Sequence, residues 1–161
     1  MNFQDLLYFH KKRANTDLTI PTIPKSKEQA EHFGVMRTGE NERIVEFVEK
    51  PTDPVIIGSL QQPNGAILVS MGIYLFNRDT LVEILSKTDF EDFGREIFPT
   101  SIRTRHVQVH LFDGYWEDIV TIKSFFEANL GLAAPLPPFE LATQGAPIYS
   151  RARFLPPSRM E

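Results

Sequence analysis

The sequence predicts a single α/β domain in which strands and helices are intermixed. Segments of strand character (Leu18-Thr19-Ile20, Phe33 to Arg37, Arg43 to Val48, Ala66 to Phe76, Val107 to Phe112) are interleaved with segments of helical spacing. The chain has 161 residues, 42% of them hydrophobic, which is enough for one real core. The last strand runs into Tyr115-Trp116-Glu117-Asp118-Ile119, and a helical pattern leaves at Thr121. Such a strand-to-helix junction is where open α/β sheets place working residues.

Composition narrows the function classes. Net charge is −4 and there is no basic run, so a nucleic-acid surface is not expected. Cysteine is absent, which excludes disulfides and thiolate chemistry. No basic-then-apolar leader opens the sequence, and the longest apolar run, Ala66 to Phe76, is too short to span a bilayer. The expectation is a soluble, cytoplasmic protein with no membrane partner.

Element by element, residues 2 to 14 form an amphipathic helix, with Phe3, Leu6, Leu7, His10 and Ala14 on one stripe and Asn2 as cap. Asp17 to Ile23 is a strand that Pro21 and Pro24 push toward an edge. Lys25 to His32 is a short helix or loop, and two strands follow, joined by the turn Thr38-Gly39-Glu40-Asn41-Glu42. Residues 52 to 65 read as loop, punctuated by Pro54, Gly58, Pro63 and Gly65. Ala66 to Phe76 reads as one buried central strand. A helix starts at Asn77-Arg78-Asp79, with Leu81, Val82, Ile84 and Leu85 toward the core. Asp89 to Gly94 is an acidic turn, and a helical segment from Arg95 to about Arg103 is broken or kinked at Pro99. Thr121 to Leu132 is the clearest helix, with Ile122, Phe125, Phe126, Asn129 and Leu130 on one stripe. Beyond Ala134, prolines mark an extended tail.

Several positions carry candidate chemistry. At a strand end, Lys50 can pair with a phosphate as a mobile point charge; equally, Glu49-Lys50 can be a solvated pair closing an edge strand. Gly72 beside Ser70 leaves room for a ligand or for a helix crossing over it. Asp118 either holds a hard cation such as Mg²⁺ through oxygen or caps the helix that follows.

Taken together, Phe47-Val48-Glu49-Lys50-Pro51, Ser70-Met71-Gly72-Ile73-Tyr74, Asp92-Phe93-Gly94 and Tyr115-Trp116-Glu117-Asp118-Ile119, in that order, resemble the second half of the catalytic domain of glucose-1-phosphate adenylyltransferase (ADP-glucose pyrophosphorylase). The run Pro147 to Pro157 is similar to the connector that follows that domain. The resemblance implies a partial Rossmann-like nucleotidyltransferase domain with a mixed central sheet and flanking helices over residues 1–134. It implies a proline-rich connector, leading toward an absent β-helix domain, over 135–161. It also implies that ATP and glucose 1-phosphate give ADP-glucose and pyrophosphate, with Mg²⁺ as cofactor. By matching position, Glu49 would hydrogen-bond the glucose hydroxyls and Lys50 would hold the phosphate. Ser70 would contact the sugar, Gly72 would leave room, and Asp118 would serve catalysis as a metal ligand.

The sequence departs from the family in two ways. Val120 stands where the family has glycine after the metal aspartate, and no glycine-rich phosphate loop occurs. The chain is therefore expected to be inactive alone, to bind ATP only with a complementary N-terminal half, and to self-associate or pair with that half. A sister nucleotidyltransferase and a non-catalytic sugar-phosphate or subunit-binding module are the other readings.

Overall fold

The structure, a computed structural model, describes residues 1–140, 145 and 147–149. Most of the expected connector lies outside the described residues. The chain divides into two compact units, Met1–Trp116 and Glu117–Glu161.

The first unit is built on a curled six-stranded mixed sheet with flanking helices, the α/β class the sequence predicts. Its strands are β1 (Leu18–Lys25), β2 (Gly34–Thr38), β3 (Ile44–Glu49), β4 (Ile67–Ser70), β5 (Leu75–Phe76) and β6 (Val107–Leu111). β1 is central. It pairs antiparallel with β4 and β5 on one side and parallel with β6 on the other. β2 lies between β4 and β3, both antiparallel to it. An isolated bridge between Arg43 and Gln108 ties the start of β3 to β6, so the sheet curls toward closure.

The prolines of β1 do not push it to an edge, because each falls where no ladder bond is required. The Pro21 carbonyl accepts from Met71 N–H at 3.1 Å, so the missing Pro21 N–H faces that same strand, just where it leaves the ladder. The expected single strand from Ala66 to Phe76 is accordingly broken into β4 and β5. The register sum changes by two residues across Met71–Tyr74, from Thr22 opposite Ser70 to Leu18 opposite Phe76. Gly72 takes φ +71° within the break, a conformation that disfavours any residue with a Cβ. Pro24 faces the β6 side beyond the end of β6.

Both faces of the sheet are covered. On one, Leu18, Ile20, Met36, Phe47, Leu68, Val107 and Val109 pack with Ile84 of α4 (Arg78–Lys87) and Phe98 of α5 (Phe98–Thr104). On the other, Val35, Ile67 and Val69 pack with Ala30 of α2 (Lys27–Ala30) and Ile57 of α3 (Pro54–Ser59). α3 corrects the reading of residues 52–65 as loop: Asp53 accepts from Val55 N–H at 2.8 Å and Pro54 opens the first turn, a start signal that outweighs the later Gly58. The N-terminal helix α1 (Phe3–Lys12) is capped by Asn2 as expected. It buries only Leu6 and His10, leaving Phe3 and Leu7 in solvent. His10 pins it to the sheet, with Nδ1 2.7 Å from Thr19 Oγ1 and Nε2 3.2 Å from Asn77 Oδ1. Likewise α4 buries Thr80 and Ile84, whereas Val82 and Leu85 are exposed.

In the second unit α6 spans Ile122–Leu132. Ile122, Phe125, Phe126 and Leu130, expected to face a core, are exposed, since the described part of this unit supplies no sheet for them. No helix of the described residues is long and apolar enough to cross a membrane.

Candidate functional site

The sheet register assembles a cross-strand row at one end of the α4/α5 face. Glu49 of β3 lies opposite Gly34 of β2, Ser70 of β4 opposite Thr22 of β1, and Thr22 opposite Leu111 of β6. Continuing the β2–β4 register by one residue sets Gly34 opposite Ser70. Strand alternation places Glu49 with Phe47 and Ser70 with Leu68, all toward the same helices.

Glu49 packs closely on the backbones of two glycines. A Cβ on Gly94 would fall 2.6 Å from its carboxyl carbon, and one on Gly34 would fall 2.8 Å from Oε2. Gly94 is thus reserved for this carboxylate alone, whereas at Gly34 the Phe47 ring shares the space and lies nearer still. Burial pushes its pKa above the ordinary carboxylate value, and the Asp92 charge pushes the same way against the cations Lys50 and Arg95. A half-buried carboxylate in such a slot is an acceptor aimed at donors such as sugar hydroxyls.

Lys50 follows with φ 45°, in the left-handed region, and its N–H donates to the Phe33 carbonyl at 3.0 Å. A non-glycine residue held there costs about 1–2 kcal/mol, and strain of this kind collects at functional sites. Its effect is to turn the ammonium out of the strand and leave it exposed beside the Glu49 slot. The Phe33 ring meets the Trp116 ring at 5.5 Å, edge on, and Lys25 Nζ lies 5.4 Å from the Trp116 ring centroid. The tryptophan of the Tyr-Trp-Glu-Asp stretch therefore stands behind the Lys50 turn.

Ser70 is buried, and its Oγ accepts from Gly72 N–H at 3.2 Å. Nothing lies within 4 Å of a Cβ built on Gly72, which excludes the helix-crossing explanation and leaves open space over this turn. Burial raises the Tyr74 pKa, while a hydrogen bond with Ser70 works against the rise. Tyr74 stacks on Phe93 at 5.7 Å with 18° between the rings. Phe93 and Gly94 are presented by a π-turn (Phe93–Ile97) that Asp92 caps by accepting from Arg95 N–H at 2.8 Å. Such wide turns recur at functional sites. The turn also resolves Pro99: the helix restarts at Phe98, so the proline sits in a first turn where its N–H is not required.

The first unit thus brings together Glu49, Lys50, Ser70 and Gly72. Gly34, Tyr74, Phe93 and Gly94 join them. The Asp92-Phe93-Gly94 motif was visible in the sequence, but Gly34 becomes legible only once Glu49 is known to oppose it. Asp118 belongs to the second unit, in the extended segment after Trp116. It does not cap α6. Thr121 does, accepting from Ser124 N–H at 3.0 Å while its own N–H donates to Ser124 Oγ at 3.1 Å. Val120 is outside the left-handed region, so the branched side chain is accommodated without backbone strain.

Among the described residues no three acidic or histidine groups converge to hold a metal. A lone carboxylate still fits Mg²⁺, which takes one or two protein carboxylates together with phosphate oxygens and water. Asp118 caps no helix, so its carboxylate is not committed to the start of α6.

A half-buried acceptor, an outward-turned lysine and a hydroxyl beside an open glycine turn suit a ligand with hydroxyls at one end and a phosphate at the other. A family model described as nucleotidyl transferase matches residues 1–134. This match spans most of the chain, which belongs to the nucleotidyl transferase family.

Proposed function

We propose that this chain carries the sugar-phosphate half of a glucose-1-phosphate adenylyltransferase site, the enzyme that makes ADP-glucose and pyrophosphate from ATP and glucose 1-phosphate. The observation that carries this reading is the Glu49 slot between Gly34 and Gly94, set beside the outward-turned Lys50. Glu49 accepts from glucose hydroxyls and Lys50 neutralises the sugar phosphate. Ser70 contacts the sugar while Gly72 keeps the approach open. These groups orient the phosphate oxygen that attacks the α-phosphorus of ATP in line, with loss of pyrophosphate. Asp118 would hold Mg²⁺, which when bound would supply charge neutralisation on phosphate oxygens.

The absence of a glycine-rich phosphate loop from these 161 residues favours a second reading, a non-catalytic sugar-phosphate-binding module. Pyrophosphate release with ATP, glucose 1-phosphate and Mg²⁺ separates the two. No turnover is expected from this chain alone, and activity is expected when a complementary glycine-rich half is added. Failure of such a half to restore turnover, with glucose 1-phosphate still bound, supports the module.

A further inference from the structure

Thr22 is wholly buried, yet its Oγ1 has no hydrogen-bond partner. Buried polar side-chain atoms without partners are few in native proteins, and each costs stability. Here they are Thr16 Oγ1, Thr22 Oγ1, His106 Nε2 and Gln108 Oε1 among the described residues. Thr22 differs from the others in its place. It lies directly opposite Ser70 in the cross-strand row that contains Glu49.

We infer that Thr22 is a positioning residue for Ser70, acting in the ligand-bound state; the inference rests on the sugar-phosphate reading above. Directly opposed side chains on one sheet face have Cβ atoms roughly 4.5–5.5 Å apart, close enough for a Thr–Ser hydrogen bond after rotamer adjustment. In this structure that bond is not made. Ser70 Oγ instead takes the Gly72 N–H, and Thr22 is left unpaired. A sugar hydroxyl arriving over the open space at Gly72 accepts from Ser70 O–H. Thr22 O–H then donates to Ser70 Oγ and directs the Ser70 proton outward to the sugar oxygen. The buried Thr22 hydroxyl thereby gains a partner in the complex. The backbone supports this placement: the Thr22 carbonyl accepts from Phe112 N–H at 2.9 Å, and Met71 N–H donates to the Pro21 carbonyl at 3.1 Å. Thr22 therefore sits between two fixed strands, and only its side chain is free to respond.

The test is Thr22→Val, which keeps the shape and removes the hydroxyl, with Thr22→Ser as rescue. Glucose 1-phosphate and inorganic phosphate are titrated separately into the full chain by calorimetry. Thr22→Val is expected to melt at or above the wild-type temperature. It should bind glucose 1-phosphate about three- to tenfold more weakly, the effect of one lost hydrogen bond. Phosphate binding should be unchanged, and Thr22→Ser should restore the sugar-phosphate affinity. Unchanged glucose 1-phosphate affinity in Thr22→Val, alongside weakening in Ser70→Ala, overturns the Thr22 role while leaving the site intact. Equal weakening for phosphate and glucose 1-phosphate marks Thr22 as merely structural and also overturns it. If neither Ser70→Ala nor Lys50→Ala alters glucose 1-phosphate binding, the sugar-phosphate reading itself is wrong, and this inference with it.

Discussion

Glu49 and Lys50 are neighbours in sequence, but the backbone gives them opposite environments. One lies in a slot between glycines, and the other is turned into solvent by a positive φ. Lys50→Ala should chiefly weaken glucose 1-phosphate, by roughly tenfold or more, because a hydrogen bond to a charged group is worth about 1.5–3 kcal/mol. Titration of both substrates into an activity-reconstituted pair checks this. Equal weakening of ATP with glucose 1-phosphate unaffected refutes the phosphate role. Glu49 should also set a pH dependence. Its folded pKa is raised, so the native state holds the proton more tightly than the unfolded chain. The charged carboxylate therefore costs stability above the folded pKa, and the cost disappears as pH falls below the unfolded value. Glu49→Gln should melt higher than wild type at pH 7 and lose that advantage near pH 4, while binding sugar phosphate less well. An advantage that persists in acid would show that the slot does not strain the charge.

At the scale of elements, what the sequence revealed depended on how local the cause was. Caps and periodic strands were legible: Asn2 caps α1, and β2 and β3 fall where alternation puts them. Pro21 misled because its effect depends on the strand opposite. It does not move β1 to an edge; it takes the Met71 N–H but has no N–H to give back, at the point where the turn at Gly72 begins. Glu49 and Lys50 stood out as residue types at a strand end, and Ser70 as a polar residue near a glycine inside an apolar run. The need for glycine at 34 and 94 is a contact between distant segments and leaves no local trace. Gly72→Ala should cost about 1 kcal/mol from its positive φ, read as a lower melting temperature, although there is space for the methyl group. Asp118 and Thr121 separate cleanly. Thr121→Ala should destabilise α6 by about 1 kcal/mol, whereas Asp118→Asn should leave helicity unchanged and raise the Mg²⁺ requirement of the reconstituted enzyme. Loss of helicity in Asp118→Asn would return it to a structural role.

For the whole molecule, the β4 part of the apolar run at 66–76 is not an open edge, because it is paired with β1 and β2 within this chain, whereas β5 pairs with β1 alone. The longer outer strands, β3 and β6, are joined at one point by the Arg43–Gln108 bridge, with Val45 and Leu111 exposed on them. Unpaired N–H and C=O groups beside such side chains invite association. Light scattering over a dilution series should show a mass that rises with concentration, and a constant 18.4 kDa would exclude edge pairing. The central claim is that one end of this sheet binds a phosphorylated sugar without the nucleotide half. Amide resonances followed during titration with glucose 1-phosphate test it most directly. The expected result is saturable shifts at Gly34, Lys50, Ser70, Gly72 and Gly94, with glucose alone far weaker. Saturating glucose 1-phosphate that leaves those amides unmoved, or moves only residues elsewhere, would contradict it.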